Sequence, residues 1–159
     1  MNSTTLTASY TRPANTTLYT ANDAMAESTS APTALTFGPA SDARANGWLV
    51  GARCVDAVNA TTLPQLRLFL FNASPTAVND NSPFTLSDAN LRTCIGFLDF
   101  TTFTAGDDTS GAGGNALSIA PVDQPFAING PVYGLVKVLN GYTPVSAEVF
   151  NFYLDIDTR

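Results

Sequence analysis

Apolar residues alternate with polar ones over short segments, and this pattern restricts the fold more than any other feature of the chain. The clearest case is Val149 to Asp157, where every second residue from Phe150 to Ile156 is large and apolar. A period of two predicts a β-strand with one buried face. No segment sustains the 3.6-residue period of a helix, and residues 87–91 predict one helical turn at most. The sequence therefore predicts an all-β protein.

Further strands are predicted from the same pattern, at residues 34–37, 48–58, 65–71, 95–103 and 132–139, with short edge strands at 117–119 and 126–128. The connections between them are rich in Gly, Pro, Asn and Asp, which are typical of turns. Seven or eight short strands indicate an antiparallel β-sandwich, jelly-roll-like in type. Trp48 falls in phase with Val50, Ala52 and Cys54, so it is predicted to lie in the core rather than to form a sugar platform.

The first 32 residues are rich in Thr, Ala, Asn and Ser and contain few large apolar groups. Such a stretch cannot bury enough surface to offset its ordering entropy. The expected organisation is an extended N-terminal arm over residues 1–32 and a single β-sandwich domain over 33–159. Two interpretations of the arm stay open. It is either a mobile terminus or a segment that becomes ordered on a neighbouring subunit, with Tyr10 and Tyr19 as anchors.

Charge and composition exclude several function classes. The chain has 7 basic and 13 acidic residues, a net charge of −6, and no His. An acidic surface does not favour binding to nucleic acid or to an anionic membrane. Without His, the Ser-His-Asp and Cys-His types of catalysis are absent. No other pairing of a nucleophile with a base is recognisable, so a non-enzymatic protein without a cofactor is expected.

Two acidic groups are candidates for cation or catalytic sites. Residues 106–115 (GDDTSGAGGN) combine adjacent carboxylates with a flexible backbone, but they lack the ligand spacing of an EF-hand and the lysine of a phosphate-binding loop. An ordinary surface loop is the expected state. Asp155 and Asp157 lie two apart on a strand and share a face, as in a solvated strand end. No metal site is predicted.

Compartment signals indicate a protein made in a cytoplasm. Met1 is followed by neither a basic segment nor an apolar one, and no apolar run approaches the length of a membrane span. A reducing compartment keeps Cys54 and Cys94 as thiols, with a bridge between two strands as the alternative.

Three stretches of the chain resemble a family of small structural proteins from tailed bacteriophages. They are residues 8–23 (ASYTRPANTTLYTAND), residues 66–75 (LRLFLFNASP) with 79–81 (NDN) and 84–88 (FTLSD), and residues 133–136 (YGLV) with 141–144 (GYTP). Together they cover both ends and the middle of the chain. No catalytic motif accompanies them.

The resemblance implies a virion component, most specifically a capsid cement or decoration protein. Such proteins are β-rich and often trimeric, and they sit on the capsid exterior where subunits of the major capsid protein meet. An arm ordered on such a partner makes Tyr10, Arg12, Pro13 and Tyr19 the candidate contact residues. The alternative is a tail or head-fibre component that contacts host glycans through Trp48 or exposed tyrosines.

Overall fold

The computed structural model describes residues 2–38, 45–57, 62–106, 115–122 and 127–158. They form eleven β-strands and one short helix. The elements are β1 (Asn2–Thr11), β2 (Ala24–Met25), β3 (Leu35–Phe37), β4 (Ala45–Asp56), β5 (Leu66–Phe71), α1 (Asp88–Thr93), β6 (Cys94–Phe100), β7 (Thr104–Ala105), β8 (Ala116–Ala120), β9 (Ala127–Gly130), β10 (Val132–Val138) and β11 (Val149–Thr158). The all-β prediction is confirmed.

The strands form two antiparallel sheets. Sheet I has the order β1-β11-β4-β8-β7, and β9 also pairs with β4. Sheet II has the order β2-β10-β5-β6, and β3 also pairs with β10. Every pairing between these strands is antiparallel. This arrangement agrees with the predicted β-sandwich. The described residues form eleven strands, whereas seven or eight were expected.

The higher strand count comes from interrupted strands. β2 and β3 pair with successive parts of β10, and β8 and β9 pair with successive parts of β4. Each of these two pairs fills one position in its sheet, and β7 adds a short outer edge. Eight main positions remain, and their order, first-eighth-third-sixth in one sheet and second-seventh-fourth-fifth in the other, is that of a jelly roll.

The alternating residues of the central strands build the core between the sheets. On β11, the inward residues Phe150, Phe152, Leu154 and Ile156 are fully buried. Leu66, Leu68 and Leu70 of β5 are equally buried on the inner side of sheet II. Burial of one such side chain stabilises the fold by about 1.5–3 kcal/mol relative to exposure. The period-two pattern therefore correctly identified the buried face of β11.

The N-terminal segment differs from the predicted arm. Residues 2–11 form an edge strand of sheet I that pairs with β11 along its whole length. Leu6, Ala8 and Tyr10 point inward and are buried. The chain then adds β2 and β3 to sheet II, so the described residues show no boundary near residue 32. The arm prediction fails because residues 2–11 alternate with a period of two. Their inward side chains, Leu6, Ala8 and Tyr10, are covered by the rest of the core.

A short helix precedes β6 and is somewhat longer than the single turn at most that residues 87–91 predict. The Ser87 side chain caps α1 by accepting a hydrogen bond from the Asn90 N–H at 3.2 Å, and Asp88 lies in the first turn. Both features favour a helix start. The helix spans six residues and carries the chain into β6.

Candidate functional site

The four predicted contact residues lie at one end of the sandwich, where β1 ends and β11 begins. Tyr10 and Arg12 are buried, Tyr19 is fully buried, and Pro13 is half-buried. The Tyr10 ring packs inward against Phe150, with ring centres 6.0 Å apart. Contact with a partner stays a prediction for these residues, and the burial of three of them does not favour it.

Arg12 and Tyr19 instead bind an acid from a distant loop. The Arg12 Nε donates a hydrogen bond to the Tyr19 hydroxyl, and Nη2 lies 3.3 Å from Asp80 Oδ2. The Tyr19 hydroxyl donates to Asp80 Oδ1, which also accepts the Ala26 N–H at 3.0 Å. Buried charges persist in proteins when they are paired and hydrogen-bonded. Arg12 and Asp80 meet both conditions.

The cluster continues through a second tyrosine to two further acids. The rings of Tyr19 and Tyr142 stack with centres 5.3 Å apart, and the Tyr142 hydroxyl lies 3.3 Å from Glu148 Oε2. Glu148 and Asp56 are both fully buried. Burial, followed by the negative charge of Asp56 and a hydrogen bond to it, raises the pKa of Glu148 to about 8. In the folded protein at neutral pH, one proton is therefore held between these two carboxyl groups.

We call Arg12, Tyr19, Asp80, Tyr142, Glu148 and Asp56 the buried polar cluster. Burial raises the pKa of Tyr19 and of Tyr142, and the nearby Glu148 charge raises the pKa of Tyr142 further. Both tyrosine hydroxyls therefore stay protonated and can donate hydrogen bonds. Because its members are closed to solvent, the cluster gives a substrate no access. Its chemistry is structural, since it joins the ends of β1, β4 and β11 to the loops around Asp80 and Tyr142.

The cluster also unites the three stretches that carry the family resemblance. Arg12 and Tyr19 come from the first stretch, Asp80 from the second and Tyr142 from the third. Sequence reasoning singled out Arg12 and Tyr19 but missed Asp80, Tyr142 and Glu148. Asp80 lies 68 residues beyond Arg12, so no local spacing in the sequence indicates their pairing.

Trp48 lies on the surface, contrary to its predicted core position. Its side chain is 43% exposed, whereas Leu49 is fully buried. The register between β4 and β11 shifts here: Gly51 pairs with Asp155, but Leu49 pairs with Ile156. Val50 is the extra residue of this β-bulge, and an extra residue inverts the alternation beyond it. Ala52 and Cys54 face inward as predicted, while Trp48 and Val50 face outward.

The remaining candidates form no site among the described residues. Cys54 and Cys94 are free thiols, and burial raises the pKa of Cys54. Within the described ranges, no three His, Cys, Asp or Glu residues lie close enough to hold a metal ion. Within the candidate cation loop at 106–115, residues 107–114 lie outside the described residues. In the described part of the chain, no helix is both long and apolar enough to cross a membrane.

The chain matches no protein-family model, no curated protein and no solved structure.

Proposed function

We propose that this chain is a non-enzymatic structural protein of a tailed-bacteriophage virion. It acts as a capsid cement protein, made in the host cytoplasm and bound to the outer shell where subunits of the major capsid protein meet. A trimer is the favoured state. The observation that carries the proposal is the convergence of the three family-like stretches in one buried polar cluster.

The surface chemistry agrees with a shell-binding role. The net charge of −6 suits the exterior of a capsid better than its DNA-facing interior. The buried polar cluster is closed to solvent, so a partner binds to the outer surface of the sandwich. Many copies on a repeating lattice add their contacts, and modest single-site affinity is sufficient for stable decoration.

The direct test is reconstitution on heads of the encoding phage assembled without this protein. The purified chain is mixed with such heads, the heads are pelleted, and the bound copies are counted. Saturable uptake at a fixed number per head, with greater resistance of the heads to heat, is expected. Absence of uptake, with the protein located on the tail of intact virions, contradicts the cement role.

A second function is favoured by the exposure of Trp48. An exposed indole on a rigid strand can stack against a sugar ring, as expected for a tail or head-fibre component that contacts host glycans. This candidate predicts saturable binding to host surface polysaccharide that Trp48→Ala abolishes. A glycan array on which the wild type binds nothing counts against it.

A further inference from the structure

The outer face of sheet I differs between its two halves. The outward residues of β1 are all Ser or Thr, as is usual for a solvated strand. On β4 and β8 the outward positions include four exposed apolar residues, which we call the apolar face: Trp48 (43%), Val50 (50%), Leu117 (40%) and Ile119 (71%). Exposed apolar side chains that occur singly need no explanation, but a group of them marks an interaction site.

These residues lie on the same face of two adjacent strands, with Arg53 between the β8 residues and Val50. Leu117 pairs directly with Val55, and Ile119 pairs with Arg53 on the adjacent strand. Neighbouring strands lie about 5 Å apart, so facing side chains in such pairs touch. Val50 and Trp48 continue the same face toward the other end of β4. The side chains are β-branched or aromatic for the most part, and they lose little entropy when a partner covers them.

The bulge in β4 has a direct effect on this patch. Without the bulge, regular alternation from Cys54 and Ala52 would place Val50 and Trp48 in the core. The extra residue at Val50 turns both of them outward and Leu49 inward. Bulges commonly re-aim side chains beside functional sites. Here the bulge extends the patch from β8 across to the far end of β4.

Charges beside the patch indicate the kind of partner. Arg53 is neutralised by Asp155 at 3.0 Å and stacks on Tyr153, 4.5 Å from the ring centre. Asp157 pairs in register with Trp48 and adds a further negative charge at the border. A second copy of this chain brings the same acids to its own border, which is unfavourable, and a partner with Lys or Arg at that position is favoured.

We propose that the apolar face is the docking surface for a different protein, one that presents an apolar centre with basic residues at its border. This inference rests on the proposed function, under which the partner belongs to the capsid shell. The patch would supply the buried centre of the interface, with Ile119 as its most exposed member. Asp157 would select the partner and speed association.

The test uses the same heads with matched surface variants. Ile119→Asp places a charge in the middle of the patch, and we expect it to weaken head binding at least about tenfold. Phe97→Asp is the control, because Phe97 is 52% exposed on the other sheet, sheet II. We expect this substitution to leave head binding unchanged. Circular dichroism checks that both variants fold. Asp157→Asn is expected to weaken binding less and to reduce its dependence on salt.

Each result is decisive. Equal head binding by the wild type and Ile119→Asp overturns the docking face and leaves the cement role standing. Failure of the wild type to bind heads overturns the proposed function itself. Sedimentation tests whether a second copy of this chain occupies the apolar face. If the wild type sediments as an oligomer and Ile119→Asp does not, a second copy covers the face. Glycan binding that Trp48→Ala abolishes makes a saccharide the occupant, and either result refutes the inference.

Discussion

The buried pair of Asp56 and Glu148 predicts an unusual dependence of stability on pH. In the unfolded chain Glu148 ionises near its ordinary pKa of 4.5, whereas in the folded protein its pKa is raised to about 8. Between these values the folded state holds a proton that the unfolded state has released. The free energy of unfolding therefore falls as pH rises through this range. The contribution of the protonated Glu148 to the free energy of unfolding is fully present below pH 4.5 and is lost above about pH 8.

The size of the effect follows from the difference between the two pKa values. A pKa difference of one unit corresponds to about 1.4 kcal/mol, so a difference from 4.5 to about 8 amounts to a loss on the order of 5 kcal/mol. Domains of this size are stable by about 5–15 kcal/mol. The loss is thus a large fraction of the total, and the wild type is expected to be distinctly weaker at pH 9 than at pH 5.

Glu148→Gln isolates this contribution. The amide is neutral at every pH, and its NH₂ group can donate to the Asp56 carboxylate. Urea unfolding followed by circular dichroism at intervals from pH 5 to pH 9 gives the free energy of unfolding of both proteins. We expect the wild type to lose several kcal/mol relative to the variant over this range. Glu27→Gln is the matched control, because Glu27 is the only other glutamate and binds Thr33 near the surface.

A constant difference between wild type and Glu148→Gln across the range would refute the reasoning. If the variant does not fold, Asp56→Asn provides the second measurement. That change removes the second-largest cause of the raised pKa of Glu148, so the stability lost between pH 5 and pH 9 is expected to shrink. An unchanged profile in Asp56→Asn contradicts the assignment equally.

Three further predictions concern the fold. Arg12→Met leaves Asp80 buried without its cation and is expected to cost about 3–5 kcal/mol in urea unfolding; a cost below about 1 kcal/mol contradicts the paired cluster. Removal of residues 1–11 leaves the backbone edge of β11 that pairs with β1 without its partner strand, so the truncated chain is expected to lose its cooperative urea transition. Retention of that transition argues that the segment is a dispensable arm. Leu68→Ala is expected to cost about 2–5 kcal/mol, whereas Ile119→Ala, at 71% exposure, changes stability by less than about 0.5 kcal/mol.

Strand positions were predictable wherever large apolar residues alternate without interruption. β11 meets this condition, and both the existence of the strand and its buried face were correct; β5 was predicted as a strand, but its two mostly apolar faces gave no choice between them. β1 follows the same period, but its inward positions include Ala8, which carries little signal by itself. Such a strand gains its burial from residues elsewhere in the chain, and propensity measured along the segment does not register that gain.

Trp48 shows why alternation fails across a bulge. The sequence from Trp48 to Cys54 reads as one regular strand, and Gly51 is its only sign of irregularity. One extra residue moves every side chain beyond it to the opposite face. The prediction was therefore correct for Ala52 and Cys54 and wrong for Trp48, although both rest on the same pattern.

The buried polar cluster was beyond sequence reasoning for a different reason. Its members are spread from Arg12 to Glu148, and the jelly-roll order of strands brings them together. A pairing between residues 12 and 80 depends on the topology of both sheets, which no local spacing encodes. Arg12 and Tyr19 were noticed as candidates for contact, and the structure supplies their contacts from within the chain.

The buried polar cluster and the apolar face are built from different parts of the chain. The resembling stretches supply Arg12, Tyr19, Asp80 and Tyr142, all of them buried, so they stabilise the fold and cannot choose a partner. The docking face proposed above consists of outward residues of β4 and β8, which lie outside those stretches. A chain that shares the buried cluster but carries polar residues in place of Trp48 and Ile119 is therefore expected to keep this fold and to lose binding to the same shell.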